Sequence, residues 1–316
     1  MISTMPPTQY KHLAKGFCQS VSIIIATKNE ENNIGTCMLS IQQQFFPEDL
    51  LEIIVVDNNS SDRTRDIAQK YTDKVFIKGP ERSAQRNYGM MKIATGKHVM
   101  YIDADMILSP HLIRTCVETI NAKQCLALHI PEIVLGNKFF SQVRRFERCF
   151  YDGTVIDGAR FFHKDAFIRA GGFDETMSGP EDWDIDKKIK QLGQIGLVSG
   201  IPSPKLQIDS WALSDFIKMR GVIPERHGSV IYHNEAEFDL GNYLAKKNYY
   251  SKSFQAYISK WGANDLDVKR QLGIFYRYFE VFFNKGRWKR LISHPMLTLG
   301  MYFLRILVGL KFIFKK

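Results

Sequence analysis

Residues 98–105 read HVMYIDAD. A mostly apolar run ends abruptly in two carboxylates, Asp103 and Asp105, one residue apart. A near-continuous apolar run suits a strand buried on both faces. Two negative charges at its end call for a positive partner there. The pattern has two upstream counterparts. Val21 to Ala26 (VSIIIA) precedes Thr27, Lys28, Asn29 and Glu30, and Leu51 to Asp57 (LEIIVVD) precedes Asn58, Asn59 and Ser60. Lys74 to Lys78 (KVFIK) reads as a further strand. Between the strands, Asn33 to Gln44, Ser61 to Tyr71 and Ser83 to Thr95 have helical spacing, with a helix start at Ser60 or Ser61 before Asp62. Strand–helix alternation predicts βαβ units in an α/β sheet. Ligands of such sheets lie beyond the carboxyl ends of the strands, so three polar clusters are expected to converge on one edge.

No Gly-rich phosphate loop follows the first strand, which argues against a dinucleotide-dependent dehydrogenase or a P-loop kinase. The chain has 316 residues, 45% hydrophobic and 24% charged, enough for a sizeable core and too apolar for global disorder. Its cysteines, Cys18, Cys37, Cys116, Cys125 and Cys149, are odd in number and scattered, which predicts reduced thiols and a cytosolic setting. The first 20 residues show no continuous apolar core of a signal peptide. The net charge of +10 is unevenly spread. Lys285, Arg287, Lys289, Arg290, Arg305, Lys311, Lys315 and Lys316 crowd the end of the chain with no Asp or Glu among them. A polyanionic surface is implied for that tail rather than for the whole protein.

VSIIIATKNEENNI, then EIIVVDNNSSDRT, then ERSAQRNYGMMKIATGKHVMYIDADM resembles a family 2 glycosyltransferase with the GT-A fold, over roughly residues 20 to 235. The resemblance implies a mixed, mostly parallel sheet flanked by helices. It implies a catalytic domain over residues 1–238, with a nucleotide-binding half at about 20–130 and an acceptor half at about 131–238. A helical, basic and aromatic extension would follow over 239–316. It further implies that Ala26, Thr27 and Glu30 hold the base and ribose of a nucleotide-sugar, with Ala26 standing where the family usually has proline. Asp57 would accept a hydrogen bond from the base, and Arg86 would pair on the nucleotide side. Asp103, Ala104 and Asp105 match the DxD motif, touching the ribose and holding Mn²⁺ or Mg²⁺ against the diphosphate. Such cations prefer oxygen ligands and neutralise a departing diphosphate. His233 is placed like a late histidine that completes the metal shell.

The segment from Gly171 to Asp184 resembles the family's GGF(D/E) run followed by an acidic pair opening a helix. Asp182 is assigned as the base that deprotonates the acceptor hydroxyl in an inverting transfer. Glu181 and Asp184 are the alternatives. Carboxylates at a helix start are stabilised by its dipole. The resemblance also places Arg160, Phe161 and His163 toward the site. Phe139, Val143, Phe146 and Phe150 share one side of a helical stretch from Asn137 to Asp157. Trp183, Lys247, Tyr250 and Lys252 are candidates for acceptor or phosphate contact.

The implied donor is a UDP- or GDP-sugar, and the implied acceptor is a lipid-linked saccharide or polyprenyl phosphate used in cell-surface glycan assembly. Pro295 to Phe314 is long enough to suggest a span, but Arg305 and Lys311 oppose one, at about 2.5–3.5 kcal/mol for a mid-bilayer cation. The expectation is therefore a peripheral or monotopic enzyme on the cytoplasmic face of the membrane. A C-terminal helix pair that packs on the protein or forms a homo-oligomer is the alternative. No nucleic-acid-binding signature accompanies the charge. Two other functions fit the fold: a sugar-phosphate nucleotidyltransferase, whose Gly-rich basic loop ATKNEENN lacks, and a non-catalytic membrane-bound sugar-nucleotide-binding protein.

Overall fold

The computed structural model describes residues 19–198, 211–283 and 286–313, the last three for their backbone alone. Cys18, Lys285, Lys315, Lys316, nearly all of the segment read for a signal peptide, and the Lys311 side chain lie outside the described residues.

The apolar runs form the expected strands: β1 (Val21–Thr27), β2 (Leu51–Asp57), β3 (Val75–Ile77) and β4 (His98–Asp103). They are followed by β5 (Met106–Leu108), β6 (Ala127–His129), β7 (Glu132–Leu135), β8 (Ala159–His163), β9 (Ile195–Leu197) and β10 (Ile231–Asn234). Seven strands make one sheet in the order β3-β2-β1-β4-β8-β6-β9, and β5-β10-β7 make a smaller one. β1 is parallel to β2 and β4, while β8 runs antiparallel to both β4 and β6. The sheet is thus mixed and mostly parallel.

Its central strands are mostly apolar because both faces are covered. Ile23, Ile25, Val55, Met100 and Ile102 pack against α1 (Ile34–Gln42) and α4 (Leu112–Lys123). Alternate residues Ile24, Ile54, Val56, Val99 and Tyr101 form the opposite core with Met90, Phe167, Ile185 and Ile189. The short helix α2 (Thr64–Ala68) and α3 (Arg82–Asn87), which runs on into a π-helical turn, connect the first strands. Next come α5 (Phe139–Arg148), α6 (Lys164–Arg169), α7 (Glu181–Leu192) and α8 (Ser214–Lys218). The helix expected over Ser61 to Tyr71 is shorter because Asp62 turns back locally, its Oδ1 accepting from Thr64 N at 3.0 Å.

The C-terminal region is helical, as expected: α9 (Leu240–Tyr250), α10 (Phe254–Trp261), α11 (Leu266–Leu272), α12 (Val281–Phe283), α13 (Lys289–Ser293) and α14 (Pro295–Ile313). It shares cores with the body. Val143, Phe146 and Phe150 meet Tyr276, Phe282, Met301 and Leu304, while Met177 and Trp183 meet Tyr257 and Val268. Phe139 departs from the expected stripe and is 45% exposed. It is the first residue of α5 and sits at the rim of that core, its ring beside Gly300 of α14 and Phe140. No helix among the described residues is long and apolar enough to cross a membrane.

Candidate active site

Strand register fixes where the site lies. Thr27 stands level with Asp57, and Ala26 with Asp103, so three strands end on one edge. The chain turns off β1 and β2 through left-handed residues, Asn29 and Asn59, both with φ of 53°. Asn tolerates that conformation better than most residues. The two loops are laced together: Asn29 N donates to Ser60 Oγ (2.8 Å), Glu30 N to Thr64 Oγ1 (2.7 Å) and Ser61 N to Asn29 Oδ1 (2.9 Å). Gln85 of α3 braces them by donating to the carbonyls of Thr27 and Val56.

Asp57 corrects its expected role. It is fully buried, and its two oxygens accept from the backbone and hydroxyl of Ser60, so it shapes the loop instead of facing a ligand. The buried Thr27 hydroxyl has no hydrogen-bond partner among the described residues. Ala26 and Ala104 are buried and offer little beyond backbone. Glu30 accepts from Asn33 Nδ2 at 2.8 Å. Burial pushes its carboxyl above the ordinary range against that hydrogen bond, and Asp105 and Asp103 add to the push.

Arg86 is the centre of the arrangement. Its guanidinium is 1% exposed and lies over the Tyr101 ring at 4.1 Å. It donates to Asp103 Oδ1 at 2.8 Å and to Asp182 Oδ1 at 3.3 Å. One cation therefore joins the end of β4 to the start of α7. Arg86 sits beneath the edge and binds protein carboxylates. Burial alone would raise the Asp103 carboxyl, but Arg86, then Arg160 and Arg82, hold it far below the usual carboxylate range.

The residues of the acidic pair part ways at the α7 start. Glu181 is completely buried against Arg82, 2.6 Å away. Burial and then Asp182 raise its pKa. Asp182 keeps an open face with its side chain 29% exposed, and accepts from Tyr101 Oη at 2.8 Å. Gly158 leaves room for it, since a Cβ there would lie 2.8 Å from Asp182 Cβ. Asp184 is fully buried among Lys188, Lys260 and the Trp261 indole, which ties α7 to α10 and closes it to an acceptor.

Asp105 and His233 come together across the smaller sheet, with His233 Nε2 3.1 Å from Asp105 Oδ2. The other ring nitrogen lies 2.9 Å from Glu132, which also pairs with Arg148 and Arg160. Burial would lower the His233 pKa, but Asp105 and Glu132 lift it well above the usual value. Among the described residues no three His, Cys, Asp or Glu side chains form a ready metal cage. A hard cation held partly by substrate phosphates needs only one or two carboxylates. Asp105 Oδ1 is buried with no hydrogen-bond partner, so the residues present fit such an ion.

The remaining candidates scatter. Arg160 lies 5.2 Å from the Tyr101 ring, beside the site. Phe161 packs in the core, and His163 pairs with His98 at the opposite end of β4, because β8 is antiparallel. Trp183 is buried against Phe254 and Tyr257, its indole donating to Ile156 O, so it anchors the C-terminal helices and does not contact an acceptor. Lys247 lies in the cluster around α5, where burial, Arg144 and Arg277 lower its pKa to about 7. Its neighbour Lys246 is exposed; desolvation would lower its pKa, but Tyr250, then Asp103 and Asp105, raise it. Tyr250 reaches the site through Arg82 Nη1, which donates to its hydroxyl at 2.9 Å. Lys252 is exposed near the Tyr249 ring.

Tyr101, Arg82, Glu132 and Lys246 were missed. Strand alternation puts Tyr101 on the same face as Asp103, and a four-residue spacing puts Arg82 beside Arg86, so both carried a signal. Glu132 and Lys246 carried none, since both depend on non-local packing.

Residues 22–173 match the sequence model of glycosyl transferase family 2. Glycosyltransferase AglE of Haloferax volcanii is 33% identical over 98 residues, 29% of this chain and 31% of that protein. Poly(ribitol-phosphate) beta-N-acetylglucosaminyltransferase TarS of Staphylococcus aureus is 34% identical over 93 residues, 27% of this chain and 16% of TarS. The match therefore spans less than a third of either relative's length. Mannosyltransferase PcManGT from Pyrobaculum calidifontis, solved with GDP-Man and Mn2+, superposes with a TM-score of 0.58 at 16% identity, over 95% of this chain and 89% of that one. At that identity the likeness is one of fold.

Proposed function

We propose, for a chain whose residues 22–173 match the sequence model of glycosyl transferase family 2, that the protein moves a sugar from a nucleoside-diphosphate sugar to an acceptor with inversion. The acceptor is read as a lipid-linked saccharide or polyprenyl phosphate of cell-surface glycan assembly, met at the cytoplasmic face of the membrane. The single observation carrying the reading is Arg86, whose guanidinium joins Asp103 to Asp182. It brings the carboxylate that ends the nucleotide-side strand and the open carboxylate of α7 into one site.

The donor would lie across the carboxyl ends of β1, β2 and β4, beside Thr27 and Glu30. Asp105, backed by His233, would hold a divalent cation, which when bound supplies charge neutralisation for the leaving diphosphate. With a saccharide hydroxyl as acceptor, Asp182 takes its proton as the oxygen bonds to the anomeric carbon and the bond from that carbon to the phosphate oxygen breaks; with an already anionic polyprenyl phosphate no base is needed, and Asp182 orients the acceptor. Tyr101 and Arg86 orient Asp182 by donating to its Oδ1. Glu132 fixes the His233 ring from behind.

The test is a panel of UDP- and GDP-sugars with short polyprenyl phosphate and polyprenyl diphosphate-sugar acceptors, with Mn²⁺ or with EDTA. The expected result is acceptor-stimulated release of nucleoside diphosphate and an inverted linkage by NMR. Release of pyrophosphate from a nucleoside triphosphate and a sugar phosphate would instead identify a nucleotidyltransferase.

A further inference from the structure

The longest helix among the described residues, α14, has two unlike faces. Met301 and Leu304 of α14 are buried against α5 and α12. On the other side Met296, Leu299, Phe303, Ile306 and Leu310 are between 41% and 66% exposed. Their three- and four-residue spacing lines them along one stripe. At 1.5 Å per residue it runs about 21 Å. Beside it, the π-helical turn Tyr276–Glu280 and α12 expose Phe275, Phe279 and Phe283. Tyr278 Oη donates to Arg305 O and Tyr302 Oη to Tyr278 O, locking the two segments side by side. Ile292 and Trp288 add further exposed apolar surface.

Of the two cations in this helix, Arg305 and Lys311, only the first has its side chain described. Arg305 lies on the packed face, 8% exposed, with Nε 3.0 Å from Glu147 and its guanidinium bonded to the Tyr151 hydroxyl. It is therefore an internal ion pair, and the stripe itself carries no charge. The flank does: Lys289 and Arg290 are exposed next to Trp288, and no Asp or Glu follows Glu280 in the sequence.

We propose that this face docks on an anionic lipid bilayer, lying in the interface with the stripe sunk among the acyl chains and the basic flank over the headgroups. A crossing helix is ruled out by length and apolarity among the described residues. A second copy of the chain is disfavoured by charge. A two-fold contact sets the same patch against itself, and this patch sets Lys289 and Arg290 against a single acid, Glu280, which already faces Arg270 at 3.8 Å. The inference deepens the membrane part of the proposed function and rests on it only for purpose. The vesicle experiment needs neither donor nor acceptor, so the two readings fail separately.

The experiment is cosedimentation of the full chain with phosphatidylcholine vesicles and with vesicles holding a quarter phosphatidylglycerol, alongside light scattering without lipid. Wild type should partition at least ten-fold more strongly onto the anionic vesicles. Leu299→Ser/Ile306→Ser should lose at least ten-fold of that binding while keeping wild-type circular dichroism and nucleotide-sugar hydrolysis. Equal binding by variant and wild type would overturn the proposal. So would a wild-type dimer that ignores vesicles and becomes monomeric in the variant.

Discussion

In the proposed transfer two side chains carry the chemistry and its support. Asp182 is the open carboxylate of the site, and replacing it with Asn leaves an oxygen that still accepts from Tyr101. Loss of a positioned base costs about 10²–10⁴-fold. Turnover of Asp182→Asn should fall by that range, with the KM for the donor within a few-fold of wild type, as read by initial-rate kinetics. A near-normal turnover would remove Asp182 from its role. Arg86 is different, because it serves Asp103 and Asp182 from a buried position. Removing one partner of a buried ion cluster costs about 3–5 kcal/mol. Arg86→Met should lose that much unfolding free energy in urea, and an unchanged midpoint would contradict the arrangement.

Among elements, the C-terminal helices are bound to the body by ions as well as by apolar contact. Glu147 of α5 accepts from Tyr151, pairs with Arg144 at 2.7 Å and receives Arg305 from α14 at 3.0 Å. Burial would raise its pKa, but Arg305 and Arg144 bring it to about 2, below the ordinary 4.5. A depressed carboxylate stabilises fully above the unfolded value and less as protons bind. This contribution should therefore be complete above about pH 4.5 and fade as pH falls toward 2. Glu147→Gln should be less stable at pH 7 and show a flatter acid limb in urea titrations. An identical acid limb would mean that Glu147 does not hold α14. The same elements explain one misplacement: Trp183, in the acidic run that opens α7, looks like a ligand contact, but helices packing far along the chain enclose it.

At the scale of the whole molecule, the nucleotide-side sheet was legible because strands buried on both faces are written as unbroken apolar runs. β1, β2 and β4 follow the sequence reading closely, and register then brought Thr27, Asp103 and their neighbours to one edge. The Asp105–His233 pair was legible through resemblance, and the structure places the two in contact. Asp57 was misread because a side chain at a strand end can bond its own loop as readily as a ligand. Glu132 was invisible, because an acid on a four-residue strand gives no hint of the histidine it meets through the sheet. The exposed apolar stripe of α14 was half legible: its apolar spacing is local, but the burial of Arg305 on the other face depends on Glu147, distant in sequence. The central claim is that Asp105 lends its unpartnered oxygen to a cation held with a nucleoside diphosphate. Its most direct test is calorimetric titration of UDP and GDP into wild type and Asp105→Ala, each with Mn²⁺ and with EDTA. Wild type should bind one of them at least ten-fold more tightly with Mn²⁺, and Asp105→Ala should lose that gain; equal Mn²⁺ enhancement in both proteins would contradict the account.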